Sequence, residues 1–374
     1  MSSSSSSNEN IHGRLLWQTS SEDSSDSENE NRVKSPRAPR NFRRRVDHFT
    51  RWNDEEFRVR FRLSKETVTM LEQRFHNVLT PKTERNYAVT AMQQILLVLR
   101  FCATGCMLQT VGDFTGIHNT TACRIVKRVI GIFASLAAEY IHMPNTQEEI
   151  DEVKRKFYTI AKFPRVIGAI DCTHVKIISP GGANAEYFRN RKGYFSINVQ
   201  VVADPNLLIR NIVARWPGST HDQTILNNSS IKAQFENNRF GNSVMLGDSG
   251  YALKKYLITP IVNPTTEVEQ VFNESQNRSR NPVERLFGVL KRRFPVLSLG
   301  IRLSLETAQT LIVACAVLHN IAVNMNEPEP LQDDDQNREW EEEENVNGND
   351  VHRLEHNFRE EFLIYFMNLL EENQ

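Results

Sequence analysis

The chain has 374 residues, 39% of them hydrophobic and 24% charged, which is enough apolar material for two or three structural units with a sizeable core. The net charge of −1 hides strong segregation: residues 1–31 carry −5, residues 32–45 carry +7, residues 46–326 carry +10, residues 327–350 carry −10 and residues 351–374 carry −3. A basic body between acidic tails suits a polyanionic partner such as nucleic acid. Cys102, Cys106, Cys123, Cys172 and Cys315 form no C-x-x-C pair, so they read as reduced thiols of a cytosolic or nuclear protein rather than a secreted disulfide scaffold. The opening MSSSSSSNEN is polar and does not resemble a secretory signal.

Residues 1–45 lack the apolar residues to build a core and are expected to be disordered. Within them Arg32, Lys34, Arg37, Arg40, Arg43, Arg44 and Arg45 form a basic arm, read as a nuclear import signal, a phosphate-binding segment or simply a solvated tail. Residues 46–150 read as a helical domain. FRLSKETVTMLEQRF has a Ser64 cap, and AVTAMQQILLVLRFCATG ends at Gly105. LQTVGDFTGIHNTTACRIVKRVIGIFASLA then reads as helix, turn at Gly116–Asn119, helix. In its second helix Ala122, Ile125, Val126, Val129, Ile130 and Phe133 share one face, while Arg124, Lys127 and Arg128 fall elsewhere. That layout predicts either a helix-turn-helix facing DNA or an ordinary helical hairpin with a solvated charged face.

Residues 151–325 contain five short Val- and Ile-rich runs, RVIGAIDCTHVKII, YFSINVQVVAD, LLIRNIVARWPG, SVMLGDSGY and YLITPIV, which predict five strands. A helix-compatible stretch, THDQTILNNSSIKAQFEN, lies between the third and fourth. The uncharged stretch Thr307–Met325 contains Gln309, His319 and Asn320 and reads as a buried helix, not a membrane span. Residues 326–350 are an acidic linker, and residues 351–374 carry an amphipathic helix with Leu354, Phe358, Phe362, Leu363 and Phe366 on one stripe.

Asp171 and Asp248 close two of the apolar runs, and Glu284 reads as the first turn of a helix, NPVERLFGVLKRRF, with thirty-five residues between it and Asp248. Three strands, a helix, two strands and closing helices, with acids after the first and fourth strands, is the order of the ribonuclease H-like fold. Two strand-end carboxylates and one on a packed helix can converge on divalent cations. Hard anionic oxygens suit Mg²⁺ or Mn²⁺, and two such ions about 3.5–4 Å apart can cut phosphodiester bonds. Asp204, before Pro205, reads as a turn residue, and Asp222, three after Ser219, as a helix cap. Lys176, Arg189, Arg191, Lys192, Lys291, Arg292 and Arg293 crowd these blocks and are candidate phosphate contacts.

The blocks GAIDCTHVKI, NRKGYFSINVQVV, ARWPGSTHD, LGDSGY, NPVERLFGVLKRRF and VLHNI together resemble the PIF/Harbinger-type transposase-derived nucleases, over roughly Phe57 to Val323. The resemblance implies a DDE endonuclease domain of ribonuclease H-like fold, with Asp171, Asp248 and Glu284 as catalytic metal ligands. It implies DNA as substrate and a separate Myb-like partner for targeting. The expected compartments are the nucleus and, second, the cytoplasm; a homo-oligomer stays open, and no membrane is implied. The alternative is a DNA-binding adaptor that kept the fold and lost cleavage.

Overall fold

The computed structural model describes residues 45–83, 87–330 and 356–372. The basic arm up to Arg44, residues 331–350 of the acidic linker, and Leu354 lie outside the described residues. The described residues from Arg45 onward form one compact unit.

That unit opens with helices α1 (His48–Arg51), α2 (Asp54–Phe61), α3 (Lys65–Leu79), α4 (Ala91–Thr104), α5 (Leu108–Thr115), α6 (Asn119–Ala134), α7 (Ala137–Tyr140) and α8 (Gln147–Ala161). Local chemistry sets several ends. Ser64 accepts from Thr67 N and starts α3, and Gly105 takes a left-handed conformation at φ 58° to stop α4. Gly116, at φ 69°, makes the turn from α5 to α6. The six apolar residues of α6 are all buried, and Arg124, Lys127 and Arg128 are exposed. Helix α8 runs straight across position 150, where the change in composition had placed a boundary.

The five predicted strands all form: β1 (Val166–Lys176), β2 (Ser196–Ala203), β3 (Ile209–Pro217), β4 (Val244–Leu246) and β5 (Leu257–Ile258). Their order is β3-β2-β1-β4-β5. β1–β2 and β2–β3 are antiparallel, and β1–β4 and β4–β5 are parallel. Between β3 and β4 lie α9 (Asp222–Asn227) and α10 (Ser230–Glu236). After β5 come α11 (Glu267–Arg293), α12 (Val296–Leu299), α13 (Leu305–Asn324) and α14 (His356–Glu371). The result is a mixed sheet flanked by helices.

Helix α13 has the length and apolarity to cross a bilayer, yet 67% of its most apolar window is buried inside the protein. Its polar pair explains why. Asn320 Nδ2 donates to Ile209 O (2.8 Å) and Tyr140 O (2.7 Å), and its Oδ1 accepts from Ile209 N (2.9 Å). One amide thus satisfies the outward-facing backbone at the start of edge strand β3. His319 Nε2 donates to Leu207 O at 2.8 Å. Burial pushes the His319 ring down to about 4, so it stays neutral.

Helix α14 packs Phe362 and Phe366 against Phe163, with ring centroids 5.3 and 5.5 Å apart. Arg359 holds its N-terminal part to the carbonyls of Thr259 and Pro260. Of the expected stripe, Phe362 and Phe366 are buried, whereas Phe358 is exposed.

Candidate active site

The parallel register of β1 and β4 places the first two acids. Ala169 pairs with Leu246, the last residue of β4. Asp171 and Asp248 each follow that pair by two residues, Asp171 still on β1 and Asp248 in the turn after β4, and the Asp248 charge acts on Asp171. Asp171 does not end its strand, as the apolar run suggests. β1 continues to Lys176, paired with β2 throughout, and what ends beside Asp171 is β4. Loss of the β4 neighbour opens that side of β1.

Asp171 Oδ1 accepts from Cys172 N (2.7 Å), and Asp248 Oδ1 accepts from Gly250 N (3.1 Å). Burial, then the Asp248 carboxylate, push the Asp171 carboxyl up to about 8, and Arg280 pulls it back. Two acids that resist joint ionisation mark a place for a cation.

Glu284 arrives differently from expectation. Asn281 and Pro282 do not start its helix. α11 begins fifteen residues earlier, where Thr266 accepts from Glu269 N and Glu269 reaches back to Thr266 N. Pro282 sits inside the helix, so the carbonyl of Arg278 lacks its usual donor. Glu284 is therefore mid-helix, and Arg280 lies one turn before it. Arg280 Nη2 meets Glu284 Oε1 at 2.6 Å, and Nη1 meets Asp171 Oδ2 at 3.2 Å. The guanidinium thus bridges the helix acid and the strand acid.

Alternation along β1 separates two faces. Asp171 and Thr173 face α11, where Lys291 Nζ donates to Thr173 Oγ1 at 2.7 Å. Burial, then Lys192, bring Lys291 down to about 8. Cys172 and His174 face the other way. Cys172 lies 3.3 Å from the Tyr251 hydroxyl, and His174 Nδ1 lies 3.0 Å from Ser196 Oγ.

Asp222 is not a capping residue: His221 is the N-cap of α9 and makes no side-chain cap bond. Asp222 Oδ1 instead accepts from Asn198 Nδ2 at 2.8 Å, and its charge reaches Asp171. Asp204 is the expected turn residue, accepting from Asn206 N and Leu208 N at 2.8 and 2.9 Å.

The basic candidates divide by exposure. Lys176, Arg191 and Lys192 are exposed, and Arg191 Nη2 lies 3.0 Å from His221 Nδ1. Arg292 is half-buried. Arg293 must be removed from the phosphate contacts. It is 2% exposed, and its guanidinium is committed to the carbonyls of Arg62 and Pro328. The spacing of KRRF cannot distinguish an inward arginine from an outward one. Arg128 donates to Val78 O.

Among the described residues no three His, Cys, Asp or Glu side chains stand together at metal-binding distance. The donor chemistry nevertheless fits a divalent cation at the Asp171–Asp248 pair, and Arg280 stands between that pair and Glu284.

The family described as "DDE superfamily endonuclease" matches residues 170–320, which contain all three acids. The chain is 36% identical over 248 residues to "Putative nuclease HARBI1" of Rattus norvegicus, covering 66% of this chain and 71% of that one. Against the Mus musculus protein of the same name it is 33% identical over 274 residues, covering 72% and 78%. "Protein ALP1-like" of Arabidopsis thaliana is 27% identical over 252 residues, covering 63% and 61%. No solved structure matches the chain. With the 3-2-1-4-5 sheet, the DDE match and these relatives, the chain belongs to the Harbinger transposase-derived family of DDE superfamily endonucleases, whose catalytic domain is ribonuclease H-like.

Proposed function

We propose that the protein is a divalent-metal-dependent DNA endonuclease, with Asp171, Asp248 and Glu284 as the metal ligands and Mg²⁺ or Mn²⁺ as the cofactor. The observation that carries the reading is Asp171 on β1 beside the turn that follows β4 and bears Asp248, with Asp171 pushed up to about 8 by burial and by the Asp248 carboxylate. When bound, the cations supply Lewis acidity for an attacking water or hydroxyl and for the leaving oxygen.

The chain's own residues do the positioning. β2 fixes Asp171 by register, the turn after β4 aims Asp248, and α11 carries Glu284. Lys291 ties α11 to β1 at Thr173, two residues from Asp171. Arg124, Lys127, Lys176, Arg191 and Lys192 present exposed positive charge that suits DNA phosphates. On this reading α5 and α6 act as a helix-turn-helix, a Myb-like protein supplies targeting, and the protein works in the nucleus.

The test is metal removal. Purified protein is expected to nick supercoiled DNA with Mg²⁺ or Mn²⁺ and to stop when EDTA is added. Nicking that continues in excess EDTA would overturn the reading.

A further inference from the structure

We propose that Arg280 is the resident counter-ion of the acid site, occupying the Asp171 and Glu284 oxygens until a divalent cation displaces it. The inference rests on the metal-site reading above and concerns what that site does before a cation arrives.

Arg280 and Asp171 side chains are each 17% exposed, so the pair is poorly screened by water. The guanidinium spans two acids that come from different elements, 3.2 Å to Asp171 Oδ2 and 2.6 Å to Glu284 Oε1. Its Nε makes no hydrogen bond among the described residues, while its two Nη atoms meet the two carboxylates. A planar two-pronged donor is the side chain best suited to such bridging. Without a cation the two carboxyls resist joint ionisation, and α11 and β1 would lose a tie across the site. A divalent cation held by Asp171, Asp248 and Glu284 would draw on the carboxylates that the guanidinium now occupies. It and the guanidinium cannot hold both at once, so metal binding requires Arg280 to release at least one acid. Arg280 therefore lowers apparent metal affinity and steadies the metal-free site.

The experiment is a Mn²⁺ titration followed by electron paramagnetic resonance, with thermal unfolding measured in EDTA and in Mn²⁺. It compares wild type, Arg280→Gln, Arg280→Lys and Asp171→Asn. Arg280→Gln is expected to bind Mn²⁺ at least about tenfold more tightly than wild type, because the competing charge is gone. It should also melt lower in EDTA and recover in Mn²⁺. Arg280→Lys keeps a charge but cannot span both acids, so its affinity should fall between the two and serves alone if the glutamine variant does not fold. Equal or weaker Mn²⁺ binding by either folded variant overturns the proposal. If Mn²⁺ binding is lost in Asp171→Asn but unchanged in Arg280→Gln, the metal site stands and the counter-ion role falls. If no protein shows Asp171-dependent binding, both fall.

Discussion

Asp171→Asn is expected to lower metal-dependent DNA nicking by about a thousandfold or more while leaving DNA affinity nearly unchanged. Asparagine keeps the size and the Oδ1 acceptor for Cys172 N, so β1 and its pairing with Val201 should survive. What is lost is the carboxyl oxygen that can ionise and hold a cation beside Asp248. Lewis-acid stabilisation by a metal is worth several kcal/mol at the transition state, and each 1.36 kcal/mol is about tenfold in rate. On the proposed reading DNA affinity would come from exposed cations such as Lys176 and Lys192, which the substitution does not touch. The measurement is a single-turnover nicking assay beside a filter-binding titration. Equal nicking by wild type and Asp171→Asn would show that the activity comes from another site or another protein.

Asn320→Ala is expected to cost about 3 kcal/mol of stability, since it strands several buried backbone groups at once. Ile209 N and O and Tyr140 O all lose their partner, and Asn320 and Ile209 are fully buried, so water cannot replace it. The start of β3 would fray from the body, although no acid of the site is touched. Urea unfolding of wild type and variant measures the difference. A change under about 0.5 kcal/mol, the size of an ordinary surface substitution, would contradict this account of the β3 edge.

Much of this architecture is legible in the chain because it is local. The five Val- and Ile-rich runs become the five strands. The apolar face of α6 is buried residue for residue, from Ala122 to Phe133. Ser64 and Gly105 mark real helix ends because caps and left-handed turns are chosen by single residues. The start of α11 was also written locally, in the Thr266–Glu269 capping box, but Asn281 and Pro282 imitate a helix start more strongly. Mistaking that start hides Arg280, which then seems to precede the helix rather than lie one turn from Glu284.

Other features depend on long-range packing that no window of sequence contains. One partner of Arg280, Asp171, is 109 residues away, and one partner of Arg293, Arg62, is 231 residues away. Asp222 has the spacing of a cap, yet the sheet offers it Asn198, so tertiary contact overrides the local option.

On the proposed reading Asp171 and Asp248 share a divalent cation. Anomalous diffraction from crystals grown with Mn²⁺ is then expected to show a peak about 2.0–2.2 Å from a carboxylate oxygen of each aspartate, with the Arg280 guanidinium withdrawn from Asp171 or Glu284. Crystals in saturating Mn²⁺ with no peak between the two aspartates, and Arg280 still bridging Asp171 and Glu284, would contradict it.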